Sequence, residues 1–319
     1  MIEILSTGVL NSVQDPGRVG YLSIGVGQSG AMDSLALAMG NALLGNEASA
    51  AGLEIALFPF RLRILSDCRF AVTGAEGDTL LDEQPLPPQW ARNGKAGQTL
   101  LIKPPRRGAR CYVSFAGGIE VPLVMGSRAT DLKTGFGGFE GRGLMRGDCL
   151  VPGSQDCKPR SGVGAALPWF LPELGQVIEI RVLPAAELYE FDESTRALFF
   201  QQAWTLSQEA NRMGMRLIGP ELKTRRPLEL LSHGILPGTV QVPPSGQPII
   251  QLADANTCGG YPKIANVIDA DLWRLAQAPI GSIFRFVEVD HPGALAAQEH
   301  QDRELMALRQ AMQGAFSRA

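Results

Sequence analysis

Residues Pro237 to Asn266 read PGTVQVPPSGQPIIQLADANTCGGYPKIAN and combine strand, turn and loop signals in one window. Thr239 to Val242 alternates polar and apolar residues, and Pro248 to Leu252 is β-branched and half apolar, as short strands often are. Between them, Pro243 to Gly246 supplies turn chemistry, because proline presets φ and glycine adopts positive φ without strain. The pattern predicts a β-hairpin.

A dense set of polar side chains follows the second strand of this hairpin. Its members are Asp254, Asn256, Thr257, Tyr261 and Lys263, arranged around the pair Gly259-Gly260. A diglycine lets a ligand approach the backbone closely, and loops that follow rigid strands commonly hold sites. We therefore expect Lys263 to face a substrate, with Asp254 or Glu54 as a general base or as an anchor for a metal-phosphate group. The alternative is that these residues only cap turns and that Lys263 is solvated.

The composition indicates a soluble, β-rich protein of about two domains. The chain has 319 residues, of which 45% are hydrophobic and 19% charged, with a net charge of -3 and an excess of turn formers, 37 glycines and 22 prolines. The chain has no long basic run of the kind that binds nucleic acid, and its apolar runs are all shorter than the roughly 18 residues of a membrane span. Met1 to Ile4 begins a strand instead of a signal peptide. We therefore expect a cytoplasmic protein that contacts neither nucleic acid nor membrane.

The cysteines and histidines show no metal-binding pattern. The five cysteines have no C-x-x-C spacing, and the three histidines form no pair at ligand spacing. Reduced thiols and no metal site are the simplest interpretation. A nucleophilic role for Cys258, which lies inside the polar loop, has no activating neighbour in sequence.

Glycine- and proline-punctuated apolar runs predict a barrel or sandwich in each half. Early in the chain we expect a strand at Gly20 to Val26 and a helix from Ala31 to Leu44. The segment from Gly153 to Gly175 has a linker composition. The predicted organisation is therefore one β domain over 1–155, a second over 176–290, and an amphipathic helix over 291–319.

Four further polar residues stand at turns or helix starts. Asn211 and Arg212 precede a Met-Gly pair, and the Arg212 guanidinium suits bidentate binding of a carboxylate or phosphate, or a structural ion pair. Ser29 and Asp33 stand at the start of the first predicted helix and suit either capping or binding. No G-x-x-x-x-G-K-[ST] motif occurs, so any ATP used here is not held by a P-loop.

Six motifs carry a family likeness, and they occur in one order along the chain. They are Ser12 to Arg18, Ser29 to Asp33, Asn211 to Gly214, Gln241 to Pro243, Gly246 to Ile249 and Gly259 to Ala265. Together they resemble the KipA-type biotin-dependent carboxyltransferase family. That family includes the C subunit of bacterial ATP-dependent 5-oxoprolinase, allophanate hydrolase subunit 2 and the carboxyltransferase part of urea carboxylase.

The resemblance implies a mainly β fold of two cyclophilin-like β-barrel domains, with a few short helices and a C-terminal helix. It also implies an activity, because a freestanding chain of this length looks most like the 5-oxoprolinase member. Such a chain would act with two partners, a KipI-like B subunit plus an A subunit, to open 5-oxoproline to glutamate, using ATP with Mg²⁺. Lys263 and Asp254 are then the expected catalytic residues. The expected substrate-binding residues are Asn211, Arg212, Gln241, Thr257, Gly259, Gly260, Tyr261, Ser29 and Asp33, and no metal ligand is expected.

Two other activities stay open within the family. One is carboxyl transfer from carboxybiotin to urea or a related amide; this chain has no Met-Lys dipeptide, so biotin would arrive on another chain. The other is non-catalytic regulation, in which the chain binds a partner that inhibits a sensor histidine kinase.

Overall fold

The computed structural model describes residues 1–154, 162–166, 171–226, 228 and 230–316. Residues 155–161 and 167–170 of the predicted linker, including Cys157, lie outside the described residues. The chain forms two compact units, one of Met1–Arg18, Ser29–Leu171 and Asp302–Ala319, the other of Val19–Gln28 and Pro172–Gln301. The domain limits expected from the sequence stay predictions.

The first unit is built from short strands, one complete helix and, from Asp302 onward, the later part of the C-terminal helix. In its described part these are β1 (Ile2–Ser6), β2 (Ser12–Gln14), α1 (Ser34–Leu44), β3 (Gly52–Ile55), β4 (Phe60–Ile64), β5 (Cys68–Glu76), β6 (Thr79–Leu81), β7 (Gln84–Leu86), β8 (Trp90–Gly94), β9 (Thr99–Ile102), β10 (Arg107–Phe115), β11 (Cys149–Leu150) and β12 (Val163–Gly164). They form two six-stranded sheets, in the orders β11-β1-β4-β9-β6-β7 and β12-β8-β5-β10-β3-β2.

The two sheets of the first unit share one core. Strand β4 shows the pattern: Phe60, Leu62 and Ile64 are buried, while Arg61 and Arg63 between them are exposed. The buried residues of β4 join those of β5 and β10 in a single apolar cluster. This period of two is the expected signature of a strand with one buried face.

Helix α1 begins and ends where capping chemistry predicts. The Asp33 carboxylate accepts a hydrogen bond from the Ala36 amide at 2.8 Å, and Gly45 ends the helix in the left-handed region at φ 71°. Leu43 and Leu44 pack with Ala71 of β5. The second sheet is therefore buried on both faces, which explains why β5 has an almost continuously buried sequence instead of an alternating one.

The second unit contains a closed barrel. Its described elements are β13 (Val177–Pro184), α2 (Glu193–Gln201), β14 (Trp204–Leu206), β15 (Gly214–Ile218), β16 (His233–Gly234), β17 (Thr239–Gln241), β18 (Ile249–Gln251), β19 (Cys258–Gly259), β20 (Lys263–Val267), α3 (Leu272–Ala276) and β21 (Ile283–Glu288). The barrel order is β13-β20-β17-β18-β15-β14-β21, closed by parallel pairing of β13 with β21. Strands β16 and β19 form a separate two-stranded ribbon.

The hairpin predicted between Thr239 and Leu252 is confirmed. Strands β17 and β18 pair antiparallel, with Val240 opposite Ile250 and Gln241 opposite Ile249. Val240 and Ile250 are fully buried. Since successive side chains of a strand point to opposite faces, Gln241 and Gln251 lie on the face away from this buried pair.

The prediction of a mainly β fold with a C-terminal helix is confirmed, whereas one predicted strand is wrong. Residues Gly20 to Val26 form no strand; Leu22–Ile24 is a short 3-10 turn that ends at Gly25 in the left-handed region, φ 84°. The chain ends in α4 (His291–Phe316). None of the described helices combines the length and the hydrophobicity that crossing a bilayer requires.

Candidate functional site

Strands β17 and β20 bring Gln241 and Lys263 together. The two residues are opposite each other, next to a register shift that marks a β-bulge. Directly opposed residues present their side chains on the same face, and bulges re-aim side chains locally. Both residues are buried, at 4% and 8% exposure. A cation and an amide thus share a sheltered position beside the barrel wall.

Glu187 ties this position to a third segment. Its Oε2 accepts a hydrogen bond from the Lys263 backbone amide at 3.0 Å and lies 3.5 Å from the Lys263 ammonium. Its Oε1 lies 3.6 Å from Nε2 of His233, which is beyond ordinary hydrogen-bond length. One carboxylate therefore faces both a lysine and a histidine.

The ribbon of β16 and β19 completes the arrangement. His233 of β16 is opposite Gly259 of β19. A Cβ atom at Gly259 would lie 2.7 Å from Nε2 of Gln241, so only glycine allows the ribbon to approach that amide without displacing it. We call Glu187, His233, Gln241, Gly259 and Lys263 the Glu187 cluster.

The hydrogen bonds around Gln241 fix the direction of its amide. Its Oε1 accepts from Nε2 of Gln251 at 2.9 Å. Its own Nε2 is buried and has no hydrogen-bond partner among the described residues. Unsatisfied buried donors are uncommon in folded proteins, so this N–H₂ group is a candidate for binding a ligand oxygen.

Arg212 and Asp254 form a separate buried ion pair. The guanidinium donates from Nε and Nη2 to the two carboxylate oxygens at 2.8 and 3.0 Å, a bidentate geometry. The two side chains are only 5% and 2% exposed. The Asp254 amide also donates to the Arg212 carbonyl at 3.0 Å. The structure therefore shows the pair joining two loop segments, and the substrate roles predicted for these residues stay predictions.

The other predicted residues of the second unit lie nearer the surface. Asn211 accepts hydrogen bonds from the Met213 and Gly214 amides and so stabilises its own turn. The Thr257 carbonyl accepts from the Ile235 amide. Gly260 approaches the Leu230 carbonyl so closely that a Cβ would lie 2.8 Å away.

Tyr261 is half exposed and lines a groove of about 480 Å³. Lys223, Arg225 and Arg226 line the same groove, and Glu221 is the one acidic residue among the lining residues that the structure describes. Lys223 and Arg226 are each within 4.0 Å of a carboxylate, at 3.4 Å from Glu221 and 3.9 Å from Glu190. Among the described residues that line the groove, three cations therefore stand against one carboxylate.

Ser29 and Asp33 belong to the first unit. Ser29 is buried with φ 52°, and its hydroxyl has no partner among the described residues. Asp33 caps α1, as its sequence position predicted, and its amide donates to the Tyr112 hydroxyl.

Glu54 is the central acceptor of that region. It accepts from the Tyr112 hydroxyl at 2.7 Å and from the Met32 amide at 2.8 Å. Burial, reinforced by the negative charge of Glu54, raises the pKa of Tyr112 well above its usual value.

No group of three or more His, Cys, Asp or Glu in the described part of the chain could hold a metal ion. Cys258 is exposed on the ribbon. Sequence reasoning missed Glu187 and His233, since neither stands in a motif. The scarcity of histidine, three in the whole chain, was the one signal that could have drawn attention to His233.

Comparison with known proteins identifies the family of this chain. The family described as "Carboxyltransferase domain, subdomain A and B" matches residues 24–288. This chain belongs to that carboxyltransferase-domain family. The resemblance inferred from the sequence motifs is thereby confirmed.

Two relatives match this chain over nearly their whole length. The C subunit of 5-oxoprolinase from Escherichia coli (strain K12) is 45% identical over 95% of this chain and 96% of its own. The protein of the same name from Haemophilus influenzae is 43% identical over 91% of each chain. Among solved structures, the Kluyveromyces lactis urea carboxylase aligns with a TM-score of 0.87 at 30% identity. The alignment covers 96% of this chain and 29% of the urea carboxylase, so the present chain spans less than a third of that protein.

Proposed function

We propose that this chain is the C subunit of an ATP-dependent 5-oxoprolinase, which opens 5-oxoproline to glutamate together with the A and B subunits. The observation that carries the proposal is the 45% identity to the C subunit of the Escherichia coli 5-oxoprolinase across 95% of this chain. We propose further that the complex is a cytoplasmic hetero-oligomer. Its ATP is a co-substrate of the complex, and we assign no Mg²⁺ ligand to this chain.

The proposed reaction requires the protein to stabilise negative charge on oxygen. A lactam is unreactive, and phosphorylation of its carbonyl oxygen by ATP, with release of ADP, makes the ring carbon electrophilic. Water then adds to that carbon, the C–N bond breaks to give the free amine and an acyl phosphate, and a second water releases phosphate to give glutamate. Negative charge develops on oxygen during these steps, and fixed donors in a sheltered site stabilise it. The Lys263 ammonium suits that role because it is buried and is oriented by Glu187 at 3.5 Å. The cationic groove beside Tyr261 suits the phosphates of the co-substrate.

The test is turnover by the reconstituted complex. We expect ATP-dependent release of glutamate from 5-oxoproline when this chain is combined with its partners, and none when this chain is left out. Lys263→Ala should lower kcat about a hundredfold, the usual effect of removing one donor to a developing oxyanion. Lys95→Ala is the matched control, because Lys95 is exposed and pairs with Asp67. A folded Lys263→Ala complex that turns over at the wild-type rate would exclude the role of Lys263.

The partners are tested independently of turnover. The chain is tagged at low copy in its native cells and purified gently, and the proteins that accompany it are identified by mass spectrometry. Proteins similar to the A and B subunits of 5-oxoprolinase are the expected result. A biotin carboxylase or a biotinylated carrier in their place would contradict the proposal.

A second candidate activity is favoured by the solved structure of urea carboxylase, with its TM-score of 0.87. It is transfer of a carboxyl group from carboxybiotin, carried in trans, to urea or a related amide. Titration with free biotin or a biotinylated carrier decides it, because a carboxyltransferase must bind the biotin ring and a lactam hydrolase need not.

A further inference from the structure

The Glu187 cluster has an unusual set of hydrogen-bonding groups at one place. The Gln241 amide N–H₂ is a buried donor with no partner among the described residues. The cluster also holds two groups that can accept, Oε1 of Glu187 and, in the neutral ring, Nε2 of His233, which lie 3.6 Å from each other. Protein interiors normally pair such groups with each other. Here they are held apart, which points to a ligand that carries both an acceptor and a donor.

The His233 ring shows which of its nitrogens accepts. Nδ1 lies 2.8 Å from the Leu231 carbonyl, which can only accept, so Nδ1 carries the proton. In the neutral ring Nε2 is then an acceptor, and it faces another acceptor, the Glu187 carboxylate, at 3.6 Å. Nε2 is buried without a hydrogen-bond partner among the described residues. An N–H group placed between the two would satisfy both.

Two structural links hold the donor and the acceptors close to each other. Lys263 is opposite Gln241 across β17 and β20, and its backbone amide binds Glu187. The ribbon pair His233 and Gly259 provides the second link, because His233 faces Glu187 while Gly259 lies against the Gln241 amide. Opposed residues of a ribbon are about 5 Å apart at Cα, which is the scale of one small ring.

We propose that the Glu187 cluster binds the N–H and C=O edge of a cyclic amide. The ring N–H donates to Glu187 and His233, while the carbonyl oxygen accepts from Gln241 and from the Lys263 ammonium. A cyclic amide is constrained to the cis form, so its N–H and C=O lie side by side and match a donor beside an acceptor. The proposal deepens the proposed function by naming the side chains that recognise the lactam, and it rests on that function for the choice of a lactam as ligand.

The experiment uses the full chain and small probes, with binding followed by ligand-observed NMR titration at millimolar concentration. The probes are 2-pyrrolidinone, which has the complete edge; N-methyl-2-pyrrolidinone, which lacks the N–H; and pyrrole, which has an uncharged ring N–H and lacks the carbonyl. The wild-type chain should bind the first. It should bind each of the others about tenfold more weakly, since each leaves buried polar groups unpaired.

Gln241→Glu tests the location of the site with almost no change of shape. The variant keeps the oxygen that accepts from Gln251 and replaces the donor by an acceptor, so 2-pyrrolidinone should bind about tenfold more weakly. Gln247→Glu is the matched control: its amide donates to the Gly219 carbonyl at 3.1 Å and is outside the cluster. The control should bind 2-pyrrolidinone with wild-type affinity.

Three results would overturn the inference. In the first, the wild-type chain binds N-methyl-2-pyrrolidinone as tightly as 2-pyrrolidinone. In the second, it does not bind 2-pyrrolidinone at all. In the third, a folded Gln241→Glu chain binds 2-pyrrolidinone with wild-type affinity. If that variant does not fold, the wild-type probe series decides alone. A complex that releases no glutamate, while the probe series behaves as expected, would reject 5-oxoproline as substrate and leave the cyclic-amide site standing.

Discussion

The buried pair of Arg212 and Asp254 allows a quantitative prediction about Asp254→Asn. Both side chains are almost fully buried and joined by two hydrogen bonds of 2.8 and 3.0 Å. Breaking a buried pair by removing one charge costs about 3–5 kcal/mol, because the remaining charge stays desolvated. Asparagine keeps one oxygen that can accept from the guanidinium. We therefore expect a loss near the lower end, about 3 kcal/mol of unfolding free energy.

The second unit must be observed by itself, because the chain forms two compact units and need not unfold in one step. Urea unfolding followed by pulsed hydrogen exchange and mass spectrometry gives a midpoint for peptides from β15 and β20. Glu209→Gln is the matched control, since Glu209 is exposed and its partner Arg216 is too. The control should change stability by less than about 0.5 kcal/mol.

The double variant Arg212→Met with Asp254→Leu separates structure from catalysis. Replacing a whole buried ion pair by apolar residues is often neutral for stability, so the double variant should recover most of the loss. If Asp254 or Arg212 acts in the reaction, the recovered protein stays inactive in the complex; if the pair is only structural, activity returns with stability. An Asp254→Asn chain within about 1 kcal/mol of wild type would refute the reasoning, because the charge would then not be desolvated.

Three further outcomes follow from burial and backbone geometry. In the folded chain Tyr112 should keep its proton above pH 10, the ordinary pKa of tyrosine, whereas the unfolded chain releases it there, so the contribution of Tyr112 to stability falls as the pH rises past about 10. Alkaline ultraviolet titration of the wild type and of Glu54→Gln measures the pKa of Tyr112. Burial raises the pKa of the Cys111 thiol to about 12, so iodoacetamide should label exposed Cys149 and spare Cys111 until unfolding, as peptide mass spectrometry will show. Gly30→Ala should lower the free energy of unfolding by about 2 kcal/mol, since Gly30 has φ 89° and a Cβ would lie 2.8 Å from the backbone of Pro16 and Gly17. Unchanged stability in thermal or urea unfolding would contradict this.

Local pattern was enough to predict the elements whose signals are local. Alternation and turn residues predicted β17 and β18, and Asp33 and Gly45 marked the two ends of α1. The same reasoning failed for Gly20 to Val26, where a strand-like composition pairs with none of the described strands and the chain makes a short turn instead. Composition indicates which residues suit a strand, but pairing decides whether one forms.

The candidate site was predictable only in part, because its contacts join segments far apart in sequence. The polar loop and Lys263 stood out around a diglycine. The partner of Lys263 did not, since Glu187 is 76 residues away and has no motif of its own. Arg212 was recognised as a candidate ion pair or ligand, and only the folded chain shows that Asp254, 42 residues later, accepts two hydrogen bonds from its guanidinium.

The parallel pairing of β13 with β21 has a consequence for synthesis on the ribosome. These are the first and last strands of the barrel, and their register runs from Val177 opposite Ile283 to Val182 opposite Glu288. Until Glu288 has emerged, a nascent chain has nothing to pair with that edge of β13, and β14 also lacks its β21 neighbour. Unpaired strand edges are templates for association with other chains. During synthesis the barrel of the second unit therefore stays unclosed and prone to aggregate for a long interval. That interval ends only when β21, the last strand of the barrel, has emerged from the ribosome.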